Sequence, residues 1–190
     1  MRVITGSARG RRLKELEGME TRPTTDRVKE GLFSALQFDI EGRRVLDLFA
    51  GTGQLGIEAL SRGAAGCVFV DRRTDAVKLI RENLKVTALE DRARVVTADS
   101  LEYLSGLREK FDLIFLDPPY AAGLLEPALE RIAQFDILAP HGIIAAEAPE
   151  GKTLPALAEP YRLSRTYRYG KIAMTIYRRK GDREDEDANT

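Results

Sequence analysis

Cysteine and histidine are almost absent from this chain. A single cysteine, Cys67, excludes an intrachain disulfide, and a single histidine, His141, leaves no Cys/His cluster to hold zinc. No metal is therefore expected. Long apolar runs are missing too: nothing approaches the roughly 18 residues a membrane span needs, and the opening MRVITGSARG lacks the apolar stretch of a signal peptide. The cytoplasm is the expected address, with no membrane partner. Net charge is also lacking, since 30 basic residues balance 30 acidic ones. What remains is a chain of 190 residues, 43% apolar and 32% charged, which is the composition of one soluble globular domain.

The zero net charge hides segregation. Residues 1 to 14 carry Arg2, Arg9, Arg11, Arg12 and Lys14 without an acid, a local +5. Residues 161 to 180 reach +7, and the final ten residues, GDREDEDANT, fall to −4. Two basic ends around an acidic middle could hold a polyanion over a central site, or could simply be solvated hairpin faces. The acidic tail beyond Lys180 is expected to be disordered.

Between the ends, strand and helix signals alternate, which predicts an α/β domain with a mainly parallel sheet. The strand signals are residues 44 to 50 (RVLDLFA), 66 to 71 (GCVFVD), 94 to 99 (RVVTAD), 112 to 117 (DLIFLD) and 142 to 147 (GIIAAE). Helical stretches are expected at 54 to 62, from an N-cap at Thr74, near 100 to 108 and at 124 to 135, with Gly63 closing the first. Residues 161 to 179 alternate polar and apolar around Gly170, the pattern of an antiparallel hairpin. Residues 2 to 16 read as another hairpin, turning near Gly6 to Gly10, and a helix is expected from about Thr25 to Leu36. This divides the chain into a basic hairpin and helix extension (1–40), a catalytic domain (41–180) and the tail (181–190).

The chemistry concentrates at two turns. In the first, Gly51, Gly53 and Gly56 satisfy G-x-G-x-x-G where a strand gives way to a helix, and Asp71 follows Gly51 by 20 residues at the end of the next strand. The glycines admit a ligand close to the backbone, and an acid in that place accepts hydrogen bonds from ribose hydroxyls. Taken alone, the spacing suits a dinucleotide. Two neighbours favour S-adenosylmethionine over NAD: Asp47 at the strand end suits a cationic amino group and would repel a pyrophosphate, and Asp99, with Ser100 after it, suits the adenine amine. Both carboxylates could instead cap turns. The expected cofactor set is Asp47, Phe49, Ala50, Gly51, Thr52, Gly53, Asp71, Arg72, Asp99 and Ser100, with Phe49 equally suited to the core.

The second turn is Asp117-Pro118-Pro119-Tyr120, at the end of the fourth strand, the edge where open α/β sheets bind ligands. Two prolines end the strand and stiffen the chain. An exocyclic base amine is a poor nucleophile because its lone pair is delocalised into the ring. If the Asp117 carboxylate and the Pro118 carbonyl both accept its hydrogens, the nitrogen can pyramidalise and turn its lone pair toward a methyl donor. Tyr120 offers a face on which an extruded base can stack, worth roughly 1–3 kcal/mol. Asp117 to Tyr120 are thus the expected catalytic residues, and Asp117 also borders the cofactor.

The segments DLFAGTGQLGIEALSRGA, FLDPPY, ARGRRL and RPTTDRVKEGLFSAL resemble the bacterial 16S rRNA guanine-N2 methyltransferase family that modifies guanine 966, over about residues 1 to 180. The resemblance implies a Rossmann-like class I methyltransferase with a mainly parallel seven-stranded sheet, an antiparallel C-terminal hairpin and an N-terminal hairpin plus helix. It implies S-adenosylmethionine as methyl donor and 16S rRNA, within the 30S subunit or an assembly intermediate, as substrate. By position it implies that Arg22, Pro23, Thr24 and Thr25 pack beside the cofactor, Thr24 and Thr25 touching it, and that the early basic hairpin touches RNA. Gln54, in place of a small residue, and Gly31, in place of threonine, depart from the pattern.

Arg9, Arg11, Arg12 and Arg22 are the expected RNA contacts. Tyr167, Tyr169 and Tyr177 are expected to pack locally, Cys67 to fill the core and His141 to lie on the surface. A monomer is expected. The rival functions are an adenine-N6 DNA methyltransferase, disfavoured because 190 residues leave no target-recognition domain, an NAD-dependent oxidoreductase, and a non-catalytic RNA-binding module.

Overall fold

The computed structural model describes residues 1–16 and 26–179. The expected cofactor neighbours Thr24 and Thr25, the RNA contact Arg22 and the acidic tail lie outside the described residues. The elements, in order, are α1 (Asp26–Ala35), β1 (Arg44–Asp47), α2 (Gln54–Ser61), β2 (Gly66–Asp71), α3 (Thr74–Thr87), β3 (Ala93–Thr97), α4 (Ser100–Gly106), β4 (Phe111–Leu116), α5 (Leu125–Gln134), β5 (Leu138–Pro149), β6 (Tyr161–Tyr169) and β7 (Ile172–Arg179).

Seven strands form one sheet in the order β3-β2-β1-β4-β5-β7-β6. The five from β3 to β5 are parallel, and β7 pairs antiparallel with both β5 and β6. The parallel strands read as continuous apolar runs because both faces of the sheet are covered. Neighbouring residues go to opposite layers. Val45, Phe69, Phe115 and Ala145 face α1, α2 and α3 through Leu32, Phe33, Leu60 and Ile80. Leu46, Val70, Leu116 and Ala146 face α4 and α5 through Leu104, Leu129 and Ile132. The strand order reverses between β1 and β4, which opens a crevice beyond their carboxyl ends. Both chemically loaded turns end at that crevice.

One local expectation is corrected. The N-cap of α3 is Arg73, and Thr74 is the first helical residue: Asp71 accepts the Arg73 amide at 2.9 Å, which holds Arg73 extended and lets the helix begin at Thr74, one residue earlier than expected. The N-terminal hairpin forms as expected, though short: Arg2 bridges Arg12, the Val3 amide donates to the Arg11 carbonyl at 3.0 Å, and the Gly10 and Leu13 amides donate to the Val3 and Met1 carbonyls at 2.9 and 3.1 Å. Polar side chains of α1 and α2 take backbone groups that this pairing leaves. Glu58 accepts the Ile4 and Thr5 amides at 2.8 and 3.0 Å. Ser61 accepts the Ala8 amide at 2.9 Å and donates to the Thr5 carbonyl at 2.6 Å. Lys29 of α1, fully buried, lies 3.7 Å from Glu58 and donates to the Arg2 carbonyl at 2.5 Å. Burial pulls its pKa down, and Glu58 and Asp26 push it back.

Gly31 has a structural reason. A Cβ there would stand 2.4 Å from the Tyr169 ring, so the missing side chain lets the tip of the C-terminal hairpin lie on α1. Tyr167 and Tyr169 pack against one apolar cluster and Tyr177 is buried in the other, so all three tyrosines pack locally as expected. Cys67 is buried and His141 exposed.

Candidate active site at the carboxyl edge of the sheet

The glycine turn starts where β1 ends. The Ala50 amide donates to the Val70 carbonyl at 3.0 Å, after which Gly51 and Gly53 turn the chain at φ values of 55° and 80°. Those left-handed conformations cost a residue with a Cβ roughly 1–2 kcal/mol. A Cβ at Gly51 would meet nothing within 4 Å, so the backbone faces open ground on which a ligand can rest. Gly56 serves another end: a Cβ there would fall 2.3 Å from the Phe69 ring, so this glycine sets the close packing of α2 on β2.

Asp47 lies beneath this turn, 1% exposed, and accepts the Gly56 amide at 3.0 Å. Burial pushes its pKa up to about 7, the Gly56 hydrogen bond pulls the other way, and the charge of Asp71 adds to the rise. The carboxylate therefore braces the turn from below. Asn83 of α3, fully buried, fastens the same turn from the side: its amide nitrogen donates to the Thr52 carbonyl at 2.9 Å and to the Lys14 carbonyl at 3.1 Å, while its oxygen accepts the Lys14 amide at 2.8 Å. One side chain thus joins the end of the N-terminal arm to the glycine turn.

Asp71 accepts the Gly51 amide at 2.9 Å and the Arg73 amide at 2.9 Å, one through each oxygen. Asp99 caps α4 by accepting the Leu101 and Glu102 amides at 2.9 and 3.1 Å, both through Oδ1. Ser100 is buried and donates to the Leu48 carbonyl at 2.8 Å. An ionised carboxylate has about four acceptor positions. Those backbone bonds leave Asp71 and Asp99 acceptor capacity toward the crevice while fixing their orientation. Ala50 and Thr52 are buried in the turn, Phe49 is half-buried against the α4–α5 face, and Arg72 is exposed. Open ground above Gly51, with oriented carboxylates at the ends of β2 and β3, fits the ribose and adenine of a nucleoside cofactor.

Across the switch point, Asp117 follows the last residue of β4. Pro118 is buried, Pro119 is exposed and Tyr120 opens a short 3₁₀ turn that ends at Gly123. The Tyr120 hydroxyl donates to Oε1 of Glu147 at 2.8 Å. Pro118, Pro119, Tyr120, Leu124, Pro149 and Lys152 line a cavity of about 140 Å³. A wider depression of about 570 Å³, lined by Arg94, Tyr103 and Glu109 among others, opens at the opposite, amino edge of the sheet and contains none of these groups.

Arg9, Arg11 and Arg12 are exposed. The arm's tip is pinned to Ser61 at the far end of α2, so Arg9 stands about 12 Å along that helix from the glycine turn. Sequence reasoning did not single out Glu147, Asn83 or the Lys29–Glu58 pair. Glu147 did carry a signal, an acid inside the apolar run 143 to 148. Among the described residues no group of three or more His, Cys, Asp or Glu could hold a metal ion, and no helix is long and apolar enough to cross a membrane.

The family described as "Conserved hypothetical protein 95" matches residues 1–178. The chain belongs to this family. Among its relatives, "Putative rRNA methyltransferase YlbH" of Bacillus subtilis is 42% identical over 184 residues, spanning 95% of this chain and 100% of that protein. "Ribosomal RNA small subunit methyltransferase D" of Escherichia coli is 34% identical over 186 residues, covering 98% of this chain and 93% of the relative. The solved structure of "Putative methyltransferase yhhF from Escherichia coli" superposes with a TM-score of 0.86 at 34% identity, over 95% of this chain and 98% of that one. Members of the family thus share the class I methyltransferase fold, and the strand order here, with its antiparallel seventh strand between the fifth and sixth, is that fold.

Proposed function

We propose that the chain is an S-adenosylmethionine-dependent methyltransferase acting on the exocyclic N2 amine of a guanine in small-subunit rRNA, guanine 966 by the family resemblance. The observation that carries this reading is the placement of Asp117-Pro118-Pro119-Tyr120 at the carboxyl end of β4, beside the glycine turn that follows β1, on the two sides of the switch point. The names of the relatives, an rRNA methyltransferase and a small-subunit rRNA methyltransferase, support the substrate class.

S-adenosylmethionine, when bound, supplies a methyl carbon on a sulfonium, which is already an activated electrophile. The work left to the protein is positioning and electrostatics, with no activated serine or cysteine needed. Gly51 to Gly53 bring the backbone close to the methionine end, and Asp47, bracing the turn, favours positive charge above it. Asp71 takes the ribose hydroxyls, and Asp99 with Ser100 borders the adenine. Phe49, Ala50, Thr52 and Arg72 complete the surround. The Asp117 carboxylate and the Pro118 carbonyl hold the amine hydrogens, so that the nitrogen lone pair leaves the ring system and points at the methyl. Tyr120 stacks on the extruded base. The proton leaves after transfer. Arg9, Arg11, Arg12 and Arg22 contact RNA phosphates, and the enzyme acts as a cytoplasmic monomer on a 30S particle or its assembly intermediate.

The test is methyl transfer to small-subunit rRNA, free and in 30S particles, followed by nucleoside analysis. Wild-type enzyme yields N2-methylguanine. Asp117→Ala lowers turnover by about 10²–10³-fold while S-adenosylhomocysteine still binds, because only the amine loses its acceptor. Asp71→Ala mainly weakens cofactor binding. A product methylated at adenine N6, or calorimetry showing NAD binding without S-adenosylhomocysteine binding, would reject the proposal, and full activity in Asp117→Ala would remove that residue from the chemistry.

A further inference from the structure

Glu147 is the acid that neither the motifs nor the cofactor surround absorb. It sits in β5 between Ala146 and Ala148, two of the most buried positions of the sheet, and is itself 3% exposed. Packing alone would be satisfied there by an apolar residue, because a carboxylate taken out of water is costly unless its oxygens are hydrogen-bonded. A partner it does have is the Tyr120 hydroxyl, 2.8 Å away and 27 residues earlier in the chain. The pairing of Leu116 with Ala146 places Asp117 and Glu147 one step further along the same two neighbouring strands. The acid therefore stands beside the start of the Asp117–Tyr120 turn, and its partner Tyr120 helps to line the 140 Å³ cavity.

We infer that Glu147 is a positioning residue for the base-stacking wall, holding the Tyr120 ring at one angle through its hydroxyl. The two prolines fix where Tyr120 leaves the strand, yet its ring keeps two side-chain torsions free to turn. Anchoring the hydroxyl on an acceptor that is buried in the sheet removes that freedom before substrate arrives. A base stacked on a fixed ring then presents its amine to Asp117 and Pro118 in one orientation, and small misplacements of reacting atoms are costly in rate. This inference rests on the proposed function, since it assigns Tyr120 to the target base.

The experiment is a double-mutant cycle in the full chain. Tyr120→Phe keeps the stacking face and removes the donor, and Glu147→Met keeps the buried volume and removes the acceptor. Each single variant should lower kcat for rRNA methylation about 10-fold, with the RNA KM within about twofold and S-adenosylhomocysteine affinity unchanged. The double variant should be no worse than either single one, because both delete the same bond. Glu147→Gln, whose amide oxygen still accepts, should recover most of the activity. A small-subunit rRNA fragment with 2-aminopurine at the target position should be strongly quenched by wild type and less so by either single variant. Multiplicative losses in the double variant, or quenching untouched by Glu147→Met, would overturn the inference. Should Glu147→Met not fold, the Tyr120→Phe result alone decides: unchanged kcat and quenching overturn it. Failure of the wild type to methylate rRNA defeats the proposed function instead, and is told apart because it precedes any variant.

Discussion

The N-terminal arm and the C-terminal hairpin are both basic and both read as hairpins in the sequence, yet they are held by different means. The C-terminal pair is a true ladder, with β6 against β7 from Tyr161↔Arg179 to Tyr169↔Ile172 and β7 against seven residues of β5. Its stability is spread over many backbone bonds and cross-strand contacts. The arm has one bridge with three cross-strand backbone bonds, and its remaining anchors are Glu58, Ser61 and Asn83, side chains that lie more than 50 residues away in sequence. Distributed bonding tolerates single substitutions. Hub bonding concentrates the cost in a few residues, and it ties the arm directly to the helix and turn that form the cofactor side of the site.

The largest expected difference comes from Lys29→Met. It leaves Glu58 buried without its ammonium partner, though still bonded to Arg62 at 2.9 Å and to two amides, and should cost about 3 kcal/mol in denaturant unfolding. Hydrogen exchange should then quicken at residues 3 to 13 and not at 172 to 179. Equal loss of protection at both ends would mean that the two are one cooperative unit. Next is Gly31→Thr, which places a side chain where the Tyr169 ring lies and should destabilise by about 1–3 kcal/mol. Adding Tyr169→Ala should recover much of that loss, a sign of direct contact between α1 and the hairpin tip; additive losses would deny it. The smallest effect on stability, within about 0.5 kcal/mol, is expected for Arg11→Ala with Arg12→Ala, both exposed. That pair should nonetheless reduce the salt dependence of RNA binding by roughly 1 to 2 in log–log slope. Arg168→Ala in the hairpin should change the slope less, because its guanidinium is 3.5 Å from Glu150. A larger slope change from Arg168→Ala would transfer the RNA surface from the arm to the hairpin.

Local signals carried far along this chain. Residues 66 to 71 form a strand with the bounds their apolar run suggested, and the Asp117–Tyr120 turn does stand at a strand end, because two prolines cannot extend a ladder. Gly53 and Gly63 turn where the spacing placed them. Legibility failed where a residue's partner is distant. Asp47, Asp71 and Asp99 were visible as strand-end acids, and turn capping was an open reading for Asp47 and Asp99, but which backbone amides they take was not visible. The arm was legible as a hairpin, but not what fastens it to the rest of the fold. Glu58, whose carboxylate takes two of its amides, looked like any helical acid.

The sequence by itself determined the layered α/β order, the two chemically loaded turns and the edge at which they meet, since strand period, glycine spacing and proline geometry all act within a few residues. Only the tertiary structure decided that Glu147 anchors Tyr120, that Asn83 joins the arm to the glycine turn and that Lys29 and Glu58 are buried together. Each of these joins residues 27 or more apart, and a buried polar group declares its partner only once the elements carrying both have packed and water has gone.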